Sequence, residues 1–165
     1  MKKYILTFIA CLSFLACVKE RVKSYCLITY SPPTIHERYG KFVASEPSVS
    51  IKNLKEYESD SIAIAAETER MNQYFEGIPK IYEKEMQRIK TKYKDSEFQD
   101  IHINTCREIF DDLAKSEFTL LILTHDSGFD KSELLQLVEK EGCLSTEVSS
   151  YCMEHNVEFR FVSLN

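Results

Sequence analysis

The sequence predicts an α+β fold: a single domain with a sheet of about three strands packed against a layer of helices. Three observations carry this. Residues Phe118 to Leu123 are six in a row with only Thr119 polar, the pattern of a strand covered on both faces. Residues 60 to 115 hold apolar side chains at helical spacing, and Val157, Phe159 and Phe161 alternate with Glu158 and Arg160 near the end. Strands separated by a run of helices point to α+β, with the early and last strands flanking Phe118–Leu123.

The chain starts with Lys2 and Lys3 before an apolar run from Ile5 to Val18. A helix needs roughly 20 such residues to cross a bilayer, so this run reads as an export signal and not a membrane span. It closes on Phe14-Leu15-Ala16-Cys17, which resembles the lipobox of bacterial lipoprotein signals. The resemblance is confined to this stretch and implies cleavage after residue 16 and lipidation of Cys17. It also implies an anchor in the cell envelope, with Val18 favouring the outer membrane, facing the periplasm. Residues 17–23 would then be a tether, and 24–165 the domain.

Tyr25 to Tyr30 is rich in β-branched and aromatic residues and reads as the first strand, ended by Ser31-Pro32-Pro33. From there to about Ser50, Gly40, Pro47 and scattered serines predict an irregular loop. Loops of that length in compact domains are usually functional or disordered, and His36, Arg38, Tyr39 and Phe42 make this one a candidate contact surface. Ile64, Met71, Phe75 and Ile78 predict a helix from Asp60, broken by Gly77 and Pro79. Pro79 then suits the first turn of a second, with Tyr82, Met86, Ile89 and Tyr93 inward. Ser96 with Gln99 has capping-box spacing for a third, running to about Lys115, so three helices in succession should form an antiparallel layer.

After Phe118–Leu123, Thr124-His125-Asp126-Ser127-Gly128 reads as a turn, and Asp130 with Glu133 heads a helix closed by Gly142. Ser145 to His155 predicts a short helix with Leu144, Val148, Tyr151 and Cys152 inward and Asn156 as a left-handed stop.

A formal net charge of −5 argues against nucleic acid as a partner. With Cys17 lipidated, Cys26, Cys106, Cys143 and Cys152 form an even set in a compartment that permits disulfides. Cys143 and Cys152, if they share a helix, stand too far apart to bridge. The expected bridge, if one forms, joins Cys106 to one of the two late cysteines; the alternative is buried thiols.

Three features invite chemistry. His125, Asp126 and Ser127 supply the side-chain types of hydrolysis, although neighbours along a turn point apart. His102 with Cys106 and Cys152 with His155 could together suit zinc, but neither has tight-loop spacing, so no metal and no cofactor is expected. Lys80, Lys84, Arg88 and Lys92 step by four along one helix, a positive line for an anionic surface or an acidic partner. No glycine-rich phosphate loop and no GxSxG or HExxH string occurs. The expectation is therefore a small envelope lipoprotein that binds a protein, as an inhibitor or immunity protein does. The alternatives are a structural or stress-related surface lipoprotein and a hydrolase using His125, Asp126 and Ser127.

Overall fold

A computed structural model describes residues 20–38, 41–53 and 55–165; for 36–38, 41, 42 and 53 it describes the backbone alone. The expected signal and its Cys17 lie outside these residues, as does Tyr39. Ten elements follow one another: β1 Arg21–Ser31, β2 Ile35–Arg38, β3 Lys41–Ala44, β4 Ser48–Asn53, α1 Asp60–Lys92, α2 Gln99–Leu113, β5 Glu117–Asp126, α3 Ser132–Glu141, α4 Thr146–Glu154 and β6 Glu158–Ser163.

The main sheet has four strands in the order β4-β1-β5-β6, all antiparallel. β1 and β5 are its centre, and β1 and β6 flank β5 as the sequence predicts. The register sets Arg21 opposite Asp126 and Tyr30 opposite Glu117. Side chains alternate between the faces, and each face is covered. Tyr25, Leu27, Leu120 and Ile122 meet Ala63 and Met71 of α1, whereas Cys26, Ile28, Leu121 and Leu123 meet Leu134, Val138, Val148 and Cys152 of α3 and α4.

The expected loop between residues 34 and 50 is instead structured. β2 and β3 form a separate hairpin, and β4 is the edge strand beside β1, with Val49 and Ile51 packed on the α3–α4 side. The predicted break at Gly77 and Pro79 is also absent: α1 runs unbroken for 33 residues with Pro79 inside it. Proline removes one backbone donor from a helix, but Pro79 is on the exposed side, where its ring does not disturb the packing. Two helices therefore replace the expected layer of three on this side of the sheet.

At about 1.5 Å per residue, α1 is roughly 50 Å long. Its start sits at the end of the sheet where the chain enters, since Lys23 reaches Asp60 and Ser127 N donates to Glu20 O. At the other end of the sheet, Phe75 packs edge-on against Phe118. The remaining 17 residues of α1 extend about 26 Å past that contact. α2 lines this extension through Tyr82 against Phe110 and Tyr93 stacked on His102.

The later helices keep their expected stops and α4 its expected start, but α3 begins after Lys131 with no side-chain cap. Asp130 accepts from Ser132 N and Glu133 from Tyr151 Oη, so the expected Asp130–Glu133 capping box is not formed. Ser145 Oγ accepts from Val148 N at the head of α4, Gly142 (φ 83°) ends α3, and Asn156 (φ 54°) ends α4. Leu144, expected inward, is 87 % exposed, because the turn at Gly142 carries it outward.

Candidate functional site

His125 belongs to β5 and not to a turn, because the strand continues to Asp126 opposite Arg21. It shares the α3–α4 face with Leu121 and Leu123, and on β1 the same face carries Ser24, Cys26 and Ile28. This brings Ser24 and His125, 101 residues apart, into contact: Ser24 Oγ lies 2.8 Å from His125 Nε2. His125 Nδ1 lies 2.9 Å from the Asp126 carbonyl oxygen. A carbonyl only accepts, so Nδ1 carries the proton, Nε2 is the acceptor, and Ser24 donates to it. Lys131 Nζ donates to the same Ser24 oxygen at 3.2 Å.

A hydroxyl, an imidazole acceptor and a group that fixes the imidazole tautomer are the parts of an activated nucleophile. Their surroundings work against that role. Ser24 and His125 are each 4 % exposed. The Phe129 ring lies 5.3 Å from that of His125, and Lys131 holds the serine oxygen from the α3 side. An acyl group would have to displace one of them to reach Ser24. Ser127, the serine expected from the sequence, is exposed on the following turn and is not part of this chain. Asp126 enters this arrangement through its carbonyl alone, its carboxylate lying 4.0 Å from Arg21 Nη1.

The other expected residues are dispersed by the sheet. Cys106 lies on α2, where Glu85 and Arg88 of α1 act on it, while Cys26, Cys143 and Cys152 belong to the core on the far face. The expected bridge from Cys106 to a late cysteine is not formed: Cys106 lies beside the outer part of α1, apart from the core that holds Cys143 and Cys152, and among the described residues no disulfide joins these four. Burial pushes the Cys26 thiol up to about 11, with the Lys131 ammonium opposing the shift, and burial likewise raises Cys152. The two His–Cys pairs also stand apart: His102 stacks on Tyr93 at the outer end of α1, whereas the His155 ring is tilted by 30° against Tyr151 of α4. No group of side chains that could hold a metal ion occurs among the described residues.

His36 and Arg38 fall in β2 and Phe42 in β3, a hairpin that β2 places beside α2. The positive line divides. Arg88 is held by Glu85, which raises its pKa, and Lys92 Nζ lies 5.0 Å over the Tyr93 ring. Lys80, Lys84 and Lys90 remain on the surface and line a depression of about 690 Å³ with Glu83 and Gln87.

Residues that single-sequence reading missed form a second polar cluster at the start of α1. Asp60 accepts from Tyr25 Oη at 2.8 Å, Lys23 Nζ at 3.0 Å and Arg160 Nη2 at 2.6 Å. These donors hold its carboxyl at about 2, Tyr25 contributing most. A surface depression of about 750 Å³ opens beside it, but its carboxylate is already shared among three donors.

No family model matches the chain, and no curated protein or solved structure matches it.

Proposed function

We propose that this chain is an exported envelope lipoprotein, anchored through Cys17, whose domain binds a protein partner and does not turn over a substrate. An inhibitor or immunity protein acting in the periplasm fits this description. The observation that carries it is the projecting pair of helices α1 and α2, which exposes Ile81 (60 %), Phe98 (51 %) and Ile101 (39 %) beyond the sheet. Apolar side chains exposed on a projection that leaves the sheet are accessible to a protein partner. Labelling cells with a palmitate analogue, followed by capture from native envelopes on the immobilised chain, tests both halves. The expected result is label lost in C17A and one protein retained in stoichiometric amount; unlabelled wild-type chain or nothing retained would count against it.

A hydrolase is the second reading, and the bond from Ser24 to His125 is what favours it. Ester turnover abolished in both S24A and H125A would establish that reading, whereas no turnover by wild type removes it.

A further inference from the structure

We infer that the face of α1 bearing Lys80, Lys84 and Lys90 is the docking site for an acidic protein surface. This rests on the binding reading above and names the face and the chemistry of the partner. Tyr82, Ile89 and Tyr93 turn toward α2, so at 100° per residue Lys80, Lys84 and Gln87 turn away from it, with Lys90 at the edge. Among the described residues none of these three lysines enters an ion pair, whereas Arg88, one turn on from Lys84, is neutralised by Glu85. Between Lys80 and Lys94 the sequence holds six basic and two acidic residues, in a chain whose net charge is −5. The positive field is therefore local, and at physiological salt it acts over about 8 Å, which selects for direct contact. Ile81, 60 % exposed and three residues before Lys84, offers an apolar foothold at the Lys84 edge of this face.

Position argues for a protein over the anchoring membrane. The three lysines lie about 30–45 Å along α1 from Asp60, which marks the end where the tether joins the fold. With the proposed anchor at residue 17, that end would be the one nearest the bilayer, and the lysines would lie up to this distance from it.

The test uses the full chain in phosphatidylcholine nanodiscs, titrated with a labelled poly-L-glutamate peptide and mixed separately with phosphatidylglycerol vesicles. The expected result is peptide binding that weakens with salt and falls about tenfold or more in K80E/K84E/K90E. These exposed substitutions should leave the melting temperature unchanged, which separates lost docking from lost folding. Equal binding by the triple variant would overturn the inference, as would capture by the vesicles but not the peptide, or a salt-labile dimer forming without peptide. Envelope capture distinguishes the two levels of failure. A partner held equally by wild type and triple variant removes this face and leaves the binding reading intact; no partner held by either removes both.

Discussion

Arg160 Nη2 sits 2.6 Å from Asp60 Oδ2, so the last strand is tied to the first turn of the longest helix across 100 residues of sequence. Lys23 and Tyr25 of β1 donate to the same carboxylate, which therefore joins three elements at one end of the sheet.

That carboxylate makes stability depend on acid. Its folded pKa, about 2, lies below the ordinary value of 3.8, so its contribution is fully present above about pH 4 and is lost as pH falls toward 2. Asp60→Asn should cost about 1–2 kcal/mol at pH 7, a discounted figure because the side chain is 24 % exposed. Urea unfolding at pH 7 and pH 2.5 measures it: the gap between variant and wild type should narrow at the lower pH, and a constant gap would refute the linkage.

Tyr25 predicts the alkaline limb. Burial first, and the hydrogen bond to Asp60 second, push its phenol up to about 12 from 10.0. A raised folded pKa gives stability that is complete below pH 10 and lost as pH rises through 12. Tyr25→Phe should flatten the fall in melting temperature between pH 10 and 12, and one tyrosine fewer should titrate late at 295 nm.

Ser24→Ala leaves His125 Nε2 buried without its donor and Lys131 without an acceptor, at a cost of about 1–3 kcal/mol. In wild type, diethyl pyrocarbonate should modify exposed His155 well before His125. A fluorophosphonate that labelled Ser24 rapidly would show that the chain is open to substrate after all.

Thiol reactivity should follow the sheet. Cys26, Cys106 and Cys152 are buried, whereas Cys143 is partly exposed. Brief iodoacetamide treatment mapped by peptide mass should find Cys143 alkylated first among the four, with the others reacting on unfolding.

Gly77 and Pro79 are poor helix formers inside a helix that runs unbroken through both. A Cβ at Gly77 meets nothing within 4 Å, so Gly77→Ala should stabilise by about 0.5–1 kcal/mol. Pro79→Ala restores a backbone donor and should add more; denaturant midpoints would decide, and a loss in both variants would refute the propensity argument.

What was legible in the sequence was what depends on near neighbours. β5 and β6 announce themselves by apolar content and alternation, and α4 by Ser145 and Asn156. β4 was hidden because its outward residues are serines and a lysine around Val49 and Ile51, and Pro47 beside it suggested a loop. Its partner, β1, lies about 25 residues away through a hairpin whose register no local pattern specifies. Pro79 marks a break by propensity alone, but the packing of Phe75 and Tyr82 on either side continues the helix through it. His125 could be suspected of a role, but its partner could not be named: Ser24 reaches it only through the pairing of β1 with β5.

That pairing also constrains how the molecule acquires its fold. β1 lies between β4 and β5, and Arg21 meets Asp126 only after more than a hundred intervening residues are available. A chain emerging from its N-terminal end can close β1 on β4 early but must hold the other edge of β1 open until β5 arrives. Contacts this distant in sequence slow folding and leave an unpaired strand exposed meanwhile. Refolding should accordingly be slow for a domain of this size, with the β1–β4 hairpin protected from hydrogen exchange before the centre of the sheet.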